Sequence, residues 1–276
     1  MKQVLVSKIK AGYDLKASVN KAVRLIGGWN QFGFKGKRVL LKPNFNTDDP
    51  FPASSDPEFI KAVIEILYEN GAKKIIVGES CTHFMRTEKV LCNSRLKEVA
   101  EKAGAEVLNF DKGKWVKKPI PGARYLKSAK IPAVFDMVDR VVFVPCLKTH
   151  KYARFTGAIK LTMGAVKKLQ RMPIHFGHLE EKFAELAALF RPDLIIMDAR
   201  KVFVTEGPAH GDVENPELIM ASTDRIAIDV EGVKTLKRYN AKNRLTPPTW
   251  ETPQIKRAVE MGIGVKSEKE YKVITK

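Results

Sequence analysis

Short apolar runs alternate with amphipathic helical patterns along most of this 276-residue chain. Apolar runs of this length are typical of buried strands, and residues recurring at helical spacing indicate helices between them. Strands that alternate with helices indicate a largely parallel sheet. The chain is therefore predicted to be α/β, with a largely parallel or mixed sheet covered by helices on both faces. Strands are predicted at 3–9, 37–43, up to Gly78, 105–110, 140–145, 193–199, 217–222 and 271–276, and helices at 14–27, from Asp56 to 70, 88–103, 176–190, 224–239 and 253–262.

Local signals mark where several of these helices begin and end. Asp14 precedes the first helix, and Asp56 with Pro57 precedes the second, where a carboxylate can accept a backbone N–H at the helix start. Gly71 is predicted to end the second helix. Thr223 or Asp224 is predicted to cap the helix that follows. The basic segment 111–130 is predicted to be a hairpin or a loop.

Composition narrows the classes of protein without choosing one. The chain is 44% hydrophobic and 29% charged, which is ordinary for a folded protein and excludes a disordered or collagenous one. Residues 1–276 are predicted to form a single α/β domain with a C-terminal extension at 241–276. No run approaches 18 apolar residues and the N-terminus lacks a signal-peptide core, so a cytoplasmic protein without a membrane segment is expected.

The net charge of +18 is the strongest compositional signal. Such an excess attracts phosphates, nucleic acid or acidic metabolites, and it does not distinguish among them. The three cysteines, Cys81, Cys92 and Cys146, form no CxxC pair. No iron–sulfur cluster is therefore expected within this chain, and reduced thiols fit the spacing better.

Polar residues collect just after the predicted strands, where ligands bind in open parallel sheets. We predict four catalytic side chains there, because lysine, imidazole and carboxylate groups can hold an anion or move a proton. Lys148 and His150 share a face if their strand continues, so the two can act on one anionic group. His83, alone in a polar stretch, is expected at the surface. The predicted catalytic residues are His150, Lys148, Glu79 and Asp198, and the predicted substrate-binding residues at strand ends are Lys42, Asn44, Ser80 and Thr149.

The segment TGAIK at 156–160 is a second candidate for anion binding. Thr156 and Gly157 precede a predicted helix, so free backbone amides there can receive a phosphate or carboxylate with Lys160 alongside. An ordinary capped helix is the alternative, since neither a Walker pattern nor GxGxxG is present. Asp229 falls on the apolar face of a helix, where it is expected to need a lysine, arginine or metal partner.

A divalent metal is a further hypothesis. Imidazole and carboxylate groups suit a divalent transition metal, although the candidates are spread along the sequence. Two of the histidines share a helical face only if their helix has begun by Ile174. The candidate ligands are His175, His178, Glu206, His210 and Asp212.

The order of these motifs resembles the domain of unknown function 362 family. The resemblance extends over residues 39–235 and implies an α/β fold with a site at the strand ends. Some members of the family are fused to ferredoxin-like iron–sulfur modules, whose four-cysteine run this chain lacks, and Leu161 stands where the family pattern has asparagine. The matching pieces are VLLKPN at 39–44, residues 54–80, VPCLKTH at 144–150, TGAIK at 156–160, RPDLIIMDA at 191–199, EGPAHGD at 206–212 and ASTDRIAID at 221–229.

Three functions are compatible with these patterns. The first is an enzyme acting on a small phosphate- or carboxylate-bearing substrate, by a metal-assisted redox or isomerisation step. The second is a nucleic-acid-binding module that uses the positive charge. The third is an accessory protein for an iron–sulfur partner, acting through exposed Cys81 or Cys146.

Overall fold

The computed structural model describes residues 3–275 of the chain, as strands and helices in near-regular alternation. The helices are α1 Leu15–Leu25, α2 Pro57–Glu69, α3 Thr87–Asn93, α4 Leu96–Lys102, α5 Ala158–Leu161, α6 Lys168–Ile174, α7 Leu179–Ala187, α8 Arg225–Leu236 and α9 Pro253–Glu260. The strands are β1 Val4–Lys10, β2 Arg38–Lys42, β3 Lys74–Glu79, β4 Glu106–Asn109, β5 Trp115–Pro119, β6 Ser128–Pro132, β7 Arg140–Phe143, β8 Lys148–His150, β9 Arg154–Thr156, β10 Leu194–Ala199, β11 Val202–Phe203, β12 Val213–Glu214, β13 Leu218–Ser222 and β14 Tyr271–Thr275.

Eight strands form one sheet, in the order β14-β1-β13-β10-β7-β2-β3-β4. Strand β13 runs antiparallel to both of its neighbours, and the other neighbouring pairs are parallel. The C-terminal segment joins this sheet, since β14 pairs with β1 at one edge. The prediction of a largely parallel or mixed sheet is confirmed.

Helices cover both faces of this sheet, as predicted. Successive residues of a strand point to opposite faces, so Val39 and Leu41 join the core under α1 and α2, whereas Leu40 joins the core under α5, α7 and α8. The side chains of Val39, Leu40 and Leu41 are all fully buried. A sheet buried on both faces explains why the strands read as continuous apolar runs.

The predicted helix starts are confirmed at three aspartates. Asp14 accepts the N–H of Ala17 at 3.0 Å, and Asp56 accepts the N–H of Glu58 at 3.0 Å. At the third, Asp224 rather than Thr223 is the cap. Each bond satisfies one of the free amides in a first helical turn.

Some boundaries differ from the prediction for local backbone reasons. The helix expected at 88–103 is two helices, because Arg95 between them has φ of 63°. The helix expected from 176 begins at Leu179, since His178 has φ of 50°. The segment 111–130 contains β5 and opens a hairpin with β6. The strand expected at 271–276 is observed to Thr275, and its last residue lies outside the described range.

No helix within residues 3–275 is long and apolar enough to cross a membrane.

Glu185 on α7 holds a loop and the C-terminal helix against the core. Its fully buried carboxylate accepts the backbone N–H groups of Arg124 and Leu126, each at 2.7 Å. It also accepts the guanidinium of Arg257 from α9 at 2.7 Å. Donors that bind the ionised carboxylate keep Glu185 charged although it is buried.

We expect Glu185→Gln to lower the free energy of unfolding by about 3 kcal/mol, because it removes the buried counter-charge of the Arg257 guanidinium and leaves that group only the more exposed Glu260. Urea denaturation followed by circular dichroism measures the change. The matched control is Glu251→Gln, which removes the carboxylate of the exposed Lys256–Glu251 pair. That change should stay below about 1 kcal/mol. Equal losses in the two variants would contradict the prediction.

Candidate functional site

A cleft of about 620 Å³ opens beyond the carboxyl ends of the parallel strands. Its floor contains the last residues of β2 and β3, and β8 and β9 form one wall. Residues of α5 and α6 and the junction between α6 and α7 form the opposite side. A concave site of this volume at this edge of an α/β sheet is typical of small-ligand binding.

Lys42 and Glu79 form a buried ion pair in the floor of the cleft. The Lys42 Nζ lies 2.7 and 2.8 Å from the two carboxylate oxygens of Glu79 and also donates to the Pro43 carbonyl at 2.7 Å. The same carboxylate accepts the N–H groups of Phe45 and Ser80. Burial lowers the pKa of Lys42, and the Glu79 charge opposes that shift. Glu79, predicted to be catalytic, is occupied by this pair.

Gly164 lies directly against this pair. A β-carbon at position 164 would stand 2.8 Å from both the Glu79 Oε1 and the Lys42 Nζ. Both atoms are hydrogen-bonded and buried, so neither can move at low cost. Glycine is therefore required there by close approach and not by backbone conformation.

Lys148 provides a positive charge in the wall of the cleft. Its Nζ donates to the carbonyls of Pro52 and Ala53 at 2.9 and 2.8 Å, which uses two of its three protons. Burial lowers its pKa, partly opposed by Cys146. One donor remains for a ligand.

Lys160 is the least constrained cation of the cleft. Within residues 3–275 its Nζ has no hydrogen-bond or ion-pair partner, and it lies 5.3 Å from the ring centre of Phe183. Loss of hydration, and then the charge of Lys148, lower the pKa of Lys160 to about 7. The predicted placement of Lys160 beside the anion-binding wall is consistent with this geometry.

His150 is a neutral hydrogen-bond donor. Its Nδ1 accepts the backbone N–H groups of Tyr152 and Ala153, both at 3.1 Å, so the ring proton is on Nε2. Burial, and then the charges of Lys160 and Lys148, hold the pKa of His150 well below its usual value. As predicted from the strand pattern, Lys148 and His150 both line the cleft.

His175 has the opposite tautomer. Its Nδ1 lies 2.7 Å from the Arg171 carbonyl, which can only accept, so the neutral ring carries a lone pair on Nε2. Burial lowers the pKa of His175, and the nearby Lys160 contributes in the same direction. The cleft thus contains one imidazole that can donate a hydrogen bond and one whose lone pair can accept a proton.

Three further cleft residues have a buried polar atom without a partner among residues 3–275. These atoms are the Asn44 Nδ2, the His83 Nε2 and the Thr156 Oγ1. Thr156 is only 4% exposed, so its hydroxyl has little access to bulk water. Buried polar groups are nearly always hydrogen-bonded, so these atoms around one cleft are suited to bind a ligand or ordered water. His83, expected at the surface, belongs to this wall and packs on Phe84.

A side chain of the protein, Asp229, binds the backbone amides at the helix start in TGAIK. Asp229 of α8 accepts the N–H of Ala158 at 2.6 Å and of Ile159 at 2.9 Å. The expectation of a lysine, arginine or metal partner for Asp229 is wrong, because backbone amides satisfy it. A β-carbon at Gly157 would stand 2.3 Å from this carboxylate. Gly157 thus admits Asp229, and the amides of α5 are unavailable to a ligand.

Several predicted site residues lie outside the cleft or are committed to the fold. Asp198 is bound by the Arg200 guanidinium at 2.8 and 3.0 Å and does not line the cleft. Thr149 donates to the Thr205 carbonyl, away from the cleft. Ser80 lines the cleft, but its hydroxyl donates to Asp111 and accepts from Arg171.

Two of the three cysteines are inaccessible to a partner protein, and Cys92 is exposed. Cys81 and Cys146, expected to be exposed, are both fully buried. Burial raises the pKa of the Cys146 thiol, so it is not activated as a thiolate.

The candidate metal ligands are dispersed. His175 follows α6, whereas His178 directly precedes α7 and stacks on Tyr125, with 4.0 Å between the ring centres. His210 contacts Glu206 at 2.9 Å, with both side chains exposed. In the part of the chain that the structure describes, no three His, Cys, Asp or Glu side chains could together hold a metal ion. Asp212 therefore completes no such set.

Sequence reasoning missed the roof of the cleft. Arg171 on α6 is buried and donates to the carbonyls of Ser80, Cys81 and Val166, which ties α6 to the loop after β3. The sequence carries little signal for this role, because Arg171 follows Gln170 and the apolar Leu169 and Met172 of the same helix are exposed. The lining of the cleft also includes the exposed side chains of Phe84, Tyr152 and Met172.

Comparisons with known proteins agree with the motif order. The model of the family "Domain of unknown function (DUF362)" matches residues 39–234. A thylakoid-associated protein of Synechocystis sp. is 28% identical over 224 residues, which are 78% of this chain and 68% of the relative.

Two solved structures are similar to this fold. A Thermotoga maritima protein has a TM-score of 0.48 and 16% identity, over 81% of this chain and 56% of its own. The lactate racemase apoprotein from Thermoanaerobacterium thermosaccharolyticum has a TM-score of 0.46 and 14% identity, over 82% of this chain and 55% of its own. This chain therefore spans just over half the length of each.

We expect Gly164→Ala to lower the free energy of unfolding by about 1–3 kcal/mol, because the added methyl group collides with the Lys42–Glu79 pair. Thermal and urea denaturation measure this loss. Gly12→Ala is the control, since its added β-carbon meets nothing closer than 3.7 Å. It should change stability by less than about 0.5 kcal/mol. A Gly164→Ala protein as stable as the control would refute the close approach.

Proposed function

This chain belongs to the DUF362 family, and we propose that it is an enzyme that binds a small anionic substrate in the cleft and moves a proton on it. The observation that carries this proposal is that the side chains of the cleft offer more hydrogen-bond donors than free acceptors. Among residues 3–275, the only carboxylate that lines the cleft is that of Glu79, and it is paired with Lys42. Lys148 and Lys160 face the same cavity without a free carboxylate.

The uncommitted donors suit oxygen atoms of a carboxylate or phosphate. They are the third proton of Lys148, the ammonium of Lys160, the Nε2–H of His150, the Thr156 hydroxyl and the Asn44 amide. Each is unsatisfied or partly satisfied within residues 3–275. An anion with several acceptor oxygens would satisfy them together and would reduce repulsion between the two lysines.

The two histidines support a proton-transfer step. His175 offers a lone pair at Nε2, and His150 offers a proton at Nε2. A base beside a fixed hydrogen-bond donor is what proton abstraction from a substrate carbon next to a carbonyl requires. The proposal assigns His175 as the base and His150 as the hydrogen-bond donor to the developing negative charge.

We expect Lys148→Met to weaken binding of a small anion at least about ten-fold, because a charge-assisted hydrogen bond is lost. Isothermal titration calorimetry with oxalate, pyruvate and inorganic phosphate measures the affinity. Thr156→Val should also weaken it, by a smaller factor. The control is Lys117→Met on the exposed strand β5, which changes net charge equally and lies outside the cleft.

The proposal fails if the wild-type protein binds none of the three probes saturably. It also fails if Lys148→Met binds them no more weakly than Lys117→Met. Circular dichroism confirms that each variant is folded before titration.

We expect oxalate affinity to fall about ten-fold between about pH 6 and about pH 8, because Lys160, with a pKa of about 7, loses its positive charge over that interval while both carboxylates of oxalate stay ionised. The ammonium form below the pKa attracts the anion, and the neutral amine above it does not. The groups that face Lys160 are Lys148, His150 and His175. Lys160→Met should flatten the pH profile measured by calorimetry. An unchanged slope in that variant would assign the titration elsewhere.

A further inference from the structure

Within residues 3–275 the buried lysines Lys8, Lys42 and Lys148 each have a structural partner, whereas half-buried Lys160 has none. Lys8 lies 3.6 Å from Glu231, and Lys42 is paired with Glu79. Lys148 is bound by two carbonyls. Within residues 3–275, the amine of Lys160 meets only the face of an aromatic ring. Its nitrogen is therefore available for chemistry in the cleft.

The surroundings of Lys160 disfavour an ammonium. Among the acidic residues on the helices packed against α5, Glu180 of α7 has one oxygen paired with Arg154, and Asp229 of α8 is bound by backbone amides; burial raises the pKa of each to about 7. Lys148 adds a like charge. With a pKa of about 7, roughly half of the Lys160 side chain is the free amine at neutral pH. A desolvated amine beside another cation is the pattern of a nucleophilic lysine.

We infer that Lys160 is a nucleophile that forms an imine with the carbonyl carbon of a small oxo-carboxylate held in the cleft. This inference rests on the proposed function and names its substrate class. Lys148 and Thr156 would hold the carboxylate, so that the carbonyl carbon meets the Lys160 nitrogen. The apolar side chains of Phe84 and Met172 in the lining suit the short carbon chain of such a substrate.

The step is balanced without a further reactant. The Lys160 nitrogen lone pair attacks the carbonyl carbon as the C–O π bond breaks, and the oxygen takes up one proton from solvent to give a positively charged carbinolamine. Loss of water from that adduct gives the protonated imine. The imine withdraws electrons from the adjacent carbon, so its C–H proton can pass to the Nε2 of His175. The electron pair of that C–H bond becomes the double bond of an enamine.

Reductive trapping tests the inference. The full chain is incubated with pyruvate and sodium cyanoborohydride at about pH 7.5, and the modified residue is located by peptide mass spectrometry. We expect one reduced pyruvate adduct per chain, on Lys160. The trapping rate should rise with a midpoint near pH 7, whereas surface lysines react at a much higher pH.

Two variants separate the roles of charge and nucleophile. Lys160→Arg keeps a cation that cannot form the imine, so it should bind oxalate within a few-fold of wild type and give no adduct there. Lys117→Met should be trapped like wild type. Lys148→Met should need at least about ten-fold more pyruvate for the same trapping rate.

The outcomes distinguish this inference from the proposed function. If oxalate binds but pyruvate leaves no adduct on Lys160, the imine is refuted and the anion site stands. If neither oxalate nor pyruvate binds, the proposed function itself fails. Adducts spread evenly over surface lysines, with no preference for Lys160, would also overturn the inference.

Discussion

Two charges that meet inside the protein, the Lys42 ammonium and the Glu79 carboxylate, organise the edge of the sheet at which the cleft forms. They stand at the ends of the adjacent parallel strands β2 and β3. A buried pair is tolerated only when further hydrogen bonds complete it. Here the N–H groups of Phe45 and Ser80 do so, which aligns the loops that leave both strands. Gly164 then lets the segment after α5 close over the pair.

This pairing explains why the cleft favours anions. In the described part of the chain, the only acidic residue that lines the cleft is Glu79, which is neutralised in the floor, and the Arg171 guanidinium is directed to main-chain carbonyls. The positive charges that remain are those of Lys148 and Lys160, on the two sides of the cavity. Their mutual repulsion in a poorly hydrated site is relieved either by a bound anion or by loss of a proton. The same arrangement thus supports anion binding and a reactive amine.

The parts of the fold that depend on local chemistry could be predicted from sequence. Asp14 and Asp56 cap helices through amides two or three residues away, and Lys148 and His150 share a face because strand geometry repeats every two residues. Asp229 could not be understood in this way, since its partners at Ala158 and Ile159 lie about seventy positions earlier. Only the packing of α8 on α5 brings them together.

The division of labour between the two histidines also depends on main-chain geometry. A lone histidine near neutral pH gives no indication of which nitrogen carries the proton. In this fold the tight turn after β8 directs two N–H groups at the Nδ1 of His150, whereas the last turn of α6 directs a carbonyl at the Nδ1 of His175. Because burial and the nearby lysines keep both rings neutral, these contacts determine the tautomers. Backbone groups thus make one ring of the cleft a hydrogen-bond donor and the other a base. No substitution of a neighbouring side chain would directly remove these backbone contacts.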